Sequence, residues 1–254
     1  RRSSDLSKVS DVTLRMQPGE VVGMSGLLGS GRTETALTLF GLNALTGGSI
    51  AIDGRPVTIR NPREAIANGI ALVPEDRHHE GLFLDRNLLQ NSAASVLERI
   101  SSKFGVVDVK QERRVGEDTL VNLQVNTRDL ALLAQSLSGG NQQKVLLGKW
   151  VATAPKLLIL DSPTVGVDVG SKSQIYEIIR QLSSRGIAIL VISDEEEELL
   201  AVCNRIAIFV QGAVTAELSG EQLKPGFSAI YRNADRNGVG ADDVTAHSTN
   251  KEVA

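Results

Sequence analysis

The sequence predicts an α/β fold built on a parallel sheet, and three observations carry that prediction. Two runs, KLLILD at 156–161 and IAILVISD at 187–194, are continuously apolar, the pattern of strands buried on both faces. Each is flanked by stretches of helical periodicity, and strands alternating with helices pair in parallel. A third run, EVVGMSG at 20–26, is rich in β-branched residues, ends on glycine and opens through a short loop into a helix.

Taken in order, the strand at 20–26 feeds the loop GLLGSGRTE at 26–34. ETALTLFGL then carries apolar residues at helical spacing and is closed by Gly41. SIAIDGRPVTI reads as two strands around an Asp53-Gly54 turn, with Pro56 favouring an edge position. IALVPEDR is another buried strand, stopped by Pro74. Residues 85–135 change to helical periodicity with scattered charge, the pattern of a separate, mainly helical subdomain. RIAIFVQGAVTAEL at 205–218 forms a last hairpin through Gly212. The predicted organisation is therefore a core of 1–84 and 136–218 containing an antiparallel β-subdomain, a helical part at 85–135, and a polar, flexible tail at 219–254.

Bulk properties narrow the function. The chain of 254 residues is 41% hydrophobic and 22% charged, an ordinary globular balance. Aromatics at 3% argue against a base-stacking surface for single-stranded nucleic acid, and a net charge of −3 argues against a phosphate-backbone footprint. A single cysteine, Cys203, rules out an internal disulfide and a multi-cysteine metal cage, and fits a reducing compartment. No apolar run approaches the roughly 20 residues of a membrane-spanning helix. The chain opens on Arg1 with no signal-peptide pattern, so the expectation is a cytosolic piece of a longer polypeptide.

Three stretches carry chemistry. In GLLGSGRTE, Gly26, Gly31 and Thr33 match the phosphate-cradling pattern G-x-x-x-x-G-K-[ST], but position 32 is arginine where lysine is usual. Gly29, Ser30 and Gly31 let backbone amides curl inward as an anion nest at a helix N-terminus, and Thr33 offers a hydroxyl to Mg²⁺. The plain alternative is a glycine-rich strand-to-helix turn. Asp161 ends a buried strand, where open α/β sheets bind ligands and where a carboxylate reaches a metal held by Thr33. In LSGGNQQK at 137–144, Ser138 suits a helix N-cap, yet a cap does not require the paired Gly139 and Gly140, which allow close backbone approach.

GLLGSGRT, LSGGNQQK and LLILDSPTVGVDVGS, in this order, resemble the ATP-binding-cassette (ABC) family of P-loop NTPases. GRTE, VPEDR at 73–77 and NQQKVLLGKW at 141–150 are similar to the tandem-cassette ATPases of bacterial monosaccharide importers, and to the second, degenerate cassette of that branch. The resemblance covers about residues 10–217. It implies that Gly26, Gly29, Ser30, Gly31, Arg32 and Thr33 hold ATP, that Thr33 and Asp161 hold Mg²⁺, and that Glu75 replaces a glutamine sensing Mg²⁺ and the membrane partner. It further implies that Ser138, Gly139 and Gly140 contact nucleotide bound to an opposite cassette, and that Asp168 lies in the loop communicating between the two sites. The implied partners are another cassette, on the same polypeptide, transmembrane permease subunits and, indirectly, a sugar-binding protein. The implied location is the cytoplasmic face of the bacterial inner membrane, with no nucleic-acid partner.

The departures bear on catalysis. Ser162 stands where a working cassette has a glutamate that polarises water, and a hydroxyl is no base at neutral pH without a proton acceptor. Asp194 stands where the family has a histidine contacting the γ-phosphate, and a carboxylate there repels phosphate unless Mg²⁺ intervenes. The three histidines, His78, His79 and His247, lie elsewhere, and no aromatic precedes Phe40 to stack on adenine. Arg32 stays charged and is able to grip phosphate oxygens, though its planar fork does not reproduce an ammonium. The expectation is ATP binding without much hydrolysis at this site, with the signature LSGGN at 137–141 donated to the partner's site. The rival readings are a non-hydrolytic regulatory or scaffold cassette whose nucleotide only stabilises a dimer, and a soluble cassette ATPase acting on DNA or ribosomes, which the acidic charge disfavours. Glu195–Glu198 read as a solvated helix start, Arg113-Arg114 as solvated charge, and His78-His79 as an exposed loop.

Overall fold

The computed structural model describes residues 9, 10 and 12–230. Eight strands alternate with seven α-helices over that span. β1 (Val21–Gly26), β4 (Ile70–Val73), β5 (Leu157–Asp161) and β6 (Ala188–Ile192) join β7 (Arg205–Val210) and β8 (Ala213–Ser219) in one sheet of order β4-β5-β6-β1-β7-β8. The first five of these strands pair in parallel, and β8 returns antiparallel to β7. β2 (Ile50–Ile52) and β3 (Arg55–Val57) form a separate antiparallel ribbon around the predicted turn.

Both faces of the sheet are covered, which is why the strands read as unbroken apolar runs. Ile189 and Val191 of β6 belong to one buried cluster, while Leu190 and Ile192 belong to the other, following the period of two along a strand. The first cluster takes its helical side chains from α3 (Leu88–Ala93), α4 (Val109–Asn122), α5 (Gly139–Val151), α6 (Val169–Ser184) and α7 (Glu196–Val202). The second takes them from α1 (Arg32–Leu39) and α2 (Pro62–Ala67), with Phe40 edge-on to Trp150 at 5.4 Å between ring centroids. Local chemistry starts the helices where expected. Asn61 caps α2 ahead of Pro62, Asn87 and Gln90 form a capping box on α3, and Asp108 caps α4.

Two boundaries differ from the sequence expectation. The helices of 85–135 have no core of their own: Leu88, Leu120, Leu123, Val125 and Ala134 join the cluster that covers the sheet. Helix α5 makes the join, packing on α3 and α4 from one side. The flexible tail does not begin at 219. Ser219 ends β8, Phe227 is buried in the first cluster, and the Glu196 carboxylate accepts from the amides of Gly226 and Ser228. Phe227, the partly buried Leu223 and the Glu196 carboxylate hold this stretch to the body. The remainder of the expected tail, 231–254, and His247 lie outside the described residues.

Gly41 ends the segment after α1 at φ 76°, and a Cβ there meets three backbone atoms of Asn61 at 2.7–2.8 Å. Asn61 is itself the cap of α2, so neither partner yields cheaply. Gly41→Ala is expected to cost about 1–3 kcal/mol, read as a fall in melting temperature with an unchanged far-UV spectrum.

Candidate functional site

Because β4, β5, β6 and β1 are parallel neighbours, the segments leaving their C-terminal ends collect along one edge of the sheet. Those segments carry Glu75 after β4, Asp161 and Ser162 at the end of β5, Asp194 after β6, and the 26–33 loop after β1. Gly26 has no room for a side chain, since a Cβ there falls 2.3 Å from the Phe209 carbonyl oxygen. Gly31 occupies the N-cap of α1 at φ 102°, and Gly29 at φ 77° faces open space. The loop thus turns tightly off β1 and presents the free amide end of α1, the geometry of an anion seat.

Arg32 is tied to acceptors of its own chain. Its side chain is 7% exposed, and its guanidinium donates to Ser30 Oγ at 3.2 Å, the Ser193 carbonyl at 3.1 Å, the Leu27 carbonyl at 3.4 Å and Asp194 Oδ1 at 2.6 Å. All but one of its N–H groups are committed to acceptors of this chain. A buried guanidinium needs acceptors, and here the 26–33 loop and the segment that follows β6, beside β1 in the sheet, supply them. The Asp194 carboxylate is paired with Arg32 in the same contact, although it is itself mostly exposed.

Asp161 sits at the centre of the edge. It is 6% exposed and lies close to the Thr33 hydroxyl and to the charges of Glu75 and Arg32. Burial first, and the Glu75 charge second, push its carboxyl up to about 6. A buried carboxylate beside a hydroxyl, with a second carboxylate near, is a hard-oxygen set suited to Mg²⁺, which takes one or two carboxylates and fills its shell with water and phosphate oxygens. Among the described residues no group of three or more His, Cys, Asp or Glu is arranged to hold a metal without such help. Ser162, at φ 49°, directs its Oγ to Asp161 Oδ1 at 3.4 Å.

The remaining candidates form a second group. Ser138 occupies the N-cap position of α5 but makes no cap bond to the backbone, and its Oγ accepts from Asn141 Nδ2 at 3.0 Å. The close approach that the paired glycines allow is made within this chain. A Cβ on Gly140 falls 2.3 Å from Ser171 Oγ on α6, and one on Gly139 falls 3.1 Å from both Arg77 Nη2 and the Gly166 carbonyl. Asp168 caps α6 through Ser171 N at 3.0 Å, and those hydrogen bonds hold its carboxyl below the usual range.

Two residues near the site escaped the sequence reading. Arg77 reaches the carbonyls of Val165 and Gly166 from the π-helical turn Arg77–Gly81. Glu198, expected in a solvated run, is 1% exposed and accepts from Thr164 Oγ1 at 2.7 Å. Its spacing to Val202, one helical turn on, was the signal that placed it on the apolar face of α7. Glu195 and Glu197 are exposed as expected, Arg113 and Arg114 pair with Glu117 and Asp118 on the surface of α4, and His79 meets Asp76 in an exposed turn. His78 does more than line that turn, since its Nε2 meets Gln142 Oε1 at 3.0 Å.

Burial pushes the Glu198 carboxyl upward and the Glu195 charge adds to it, whereas hydrogen bonds from Ser193 and Thr164 and the Lys172 charge oppose it. Tyr176 and Cys203 complete the surroundings. A folded value above the unfolded one favours the fold at low pH, and that contribution is lost as pH rises through the folded value. Glu198→Gln is therefore expected to raise the melting temperature by about 2–4 °C at pH 8, near 1 kcal/mol for a chain of this size, with the gap closing by pH 4. A gap independent of pH contradicts the assignment.

A family model described as ABC transporter matches residues 9–165. The chain is 43% identical over 215 residues to the ribose import ATP-binding protein RbsA of Yersinia pestis, covering 85% of this chain and 42% of that protein. It is 46% identical over 210 residues to the protein of the same name from Chelativorans sp. (strain BNC1), covering 83% and 41%. The chain spans about two fifths of the length of the curated relatives it matches. Among solved structures, a nucleotide-free ATP-binding cassette from an ABC transporter superposes with a TM-score of 0.75 at 21% identity, covering 85% of this chain and 87% of that one. A dimeric cassette in a post-hydrolysis state, bound to ADP and Pi, superposes at 0.70 and 21% identity, covering 85% and 91%. The fold is accordingly that of the ATP-binding cassette, a P-loop NTPase with a mostly parallel sheet and a two-stranded antiparallel ribbon.

Proposed function

The chain belongs to the ABC transporter family, and from that premise we propose that it is the second, degenerate ATP-binding cassette of a bacterial monosaccharide importer. Relatives 43% and 46% identical are named for ribose import, and each is more than twice as long as the stretch matched, which leaves room for a first cassette. The partners in this reading are that cassette, the permease subunits and, through them, a sugar-binding protein. The chain lies at the cytoplasmic face of the inner membrane. Among its described residues no helix is long and apolar enough to cross a membrane.

The observation that carries the degenerate reading is the Arg32–Asp194 contact at 2.6 Å. Gly26–Thr33 receive the phosphates on backbone amides, while the cation that normally grips them is turned away and neutralised. Thr33 and Asp161 would hold Mg²⁺, which when bound screens phosphate charge and polarises the terminal phosphoryl group. Ser162 donates its hydrogen bond to Asp161, the carboxylate that would hold Mg²⁺ in this reading, so the serine does not replace the glutamate that polarises water. Nucleotide stays bound, and the useful surface becomes Ser138–Gly140, offered to the competent site on the other cassette. Closure of the two cassettes then drives the permease.

The test is a titration of this chain with Mg-ATP, followed by phosphate release with and without the companion cassette. Saturable binding with background turnover is expected from the chain alone. Robust turnover by the chain alone, abolished by Asp161→Asn, would falsify the reading.

A further inference from the structure

Arg77 joins the turn after β4 to two other segments of the second group, the 165–166 loop and α5. From the π-helical turn Arg77–Gly81 its Nη1 donates to the Val165 carbonyl at 2.7 Å, and its Nη2 to the Gly166 carbonyl at 3.2 Å. Its Nε donates to Gln142 Oε1 at 3.4 Å, one turn into α5. Gln142 is buried and fixed in turn, donating to the Ala134 carbonyl at 3.2 Å and meeting His78 Nε2 at 3.0 Å. The backbone is shaped for this contact. Gly166 turns at φ 67°, and a Cβ on Gly139 falls 3.1 Å from Arg77 Nη2 and from the Gly166 carbonyl. A side chain at Gly139 wedges the guanidinium from the carbonyls it holds. The far end of the same turn is tied to α5 as well, where the buried Lys149 donates to the Gly81 carbonyl at 2.8 Å.

We propose that Arg77 is a positioning residue that locks the 165–168 loop onto the start of α5, so that Ser138–Gly140 and Asp168 are presented as one rigid surface. This rests on the reading that Ser138–Gly140 serve a site on the partner cassette. A planar guanidinium suits the task, because it spans two adjacent carbonyls and a side-chain amide at once, which a lysine ammonium on a flexible stem does not. Arg77 begins two residues after Glu75, so the turn that follows β4 is mechanically joined to the signature helix through it. The residue acts on the partner's reaction through geometry and touches no reacting atom.

The experiment measures steady-state ATP turnover against ATP concentration for the complete transporter in vesicles, with Arg77→Met, Arg77→Lys and Ser138→Arg. Arg77→Met keeps the apolar stem and removes every donor. It is expected to lower kcat about tenfold with KM within about twofold, since a misplaced signature loses transition-state contacts rather than nucleotide affinity. Arg77→Lys recovers part of the loss, and melting temperatures stay within about 2 °C because the freed carbonyls lie where water reaches them. Full turnover in Arg77→Met beside an inactive Ser138→Arg overturns the role of Arg77 and leaves the signature reading standing. Full turnover in Ser138→Arg overturns the reading beneath it. A loss in Arg77→Met that follows a fall in melting temperature, and disappears on cooling, also overturns the proposal.

Discussion

Replacing Ser138 with arginine is expected to lower ATP turnover by the complete transporter at least about 100-fold, the scale for removing one preorganised donor from a charge-stabilising site. The effect is expected with no loss of nucleotide binding by this chain. Ser138 is exposed, its hydroxyl is held only by Asn141, and it makes no cap bond that α5 needs. Inside the chain the substitution is therefore tolerated. Its consequence falls on whatever approaches the amide end of α5, because a long side chain there blocks close contact with a second cassette. Turnover by the joined cassettes that ignores Ser138→Arg favours the scaffold alternative, in which nucleotide only holds a dimer together. Binding of a fluorescent ATP analogue to the variant chain, unchanged from the parent, separates the two effects.

The sheet was legible because a strand buried on both faces leaves an unbroken apolar run, and 157–161 and 188–192 are such runs. The hairpin at 205–219 was legible because Gln211 and Gly212 both take positive φ, which Gly212 marked. The candidate site was legible as a set of positions and not as a set of contacts. Arg32 and Asp194 read as two separate losses, since each was weighed against a phosphate. That they neutralise one another follows from β1 and β6 being sheet neighbours, a tertiary fact, although two opposite charges replacing residues around one phosphate were a usable hint. The paired glycines were read as allowing a close approach, and within this chain Ser171 and Arg77 lie against them, neither near in sequence. Glu198 was lost in a run of five acids, 194–198, because charge dominated over its helical spacing. Phe227 was overlooked because the apolar residues near it are few and not at regular spacing.

The exchange of lysine and histidine for an internal ion pair predicts a pattern of ATP affinities that no single substitution reveals. With Arg32 removed, the Asp194 carboxylate, already mostly exposed, faces the phosphates without its partner. At a separation near 6 Å and an effective dielectric of about 20, one unit charge against another costs about 2–3 kcal/mol. Arg32→Ala is therefore expected to weaken Mg-ATP binding by this chain at least about 30-fold, near 2 kcal/mol. Removing both groups takes away a pair whose net charge is zero. Arg32→Ala/Asp194→Ala is accordingly expected to bind within about threefold of the parent, so that the second substitution cancels most of the first. Asp194→Ala alone binds at least as tightly as the parent, because a guanidinium released from its carboxylate becomes available to phosphate. The opposite pattern, a double variant as weak as Arg32→Ala, means that Arg32 leaves Asp194 when nucleotide arrives and grips it directly. Raising salt shrinks the Arg32→Ala deficit if it is electrostatic, and leaves it untouched if the loss is only of packing around a buried side chain.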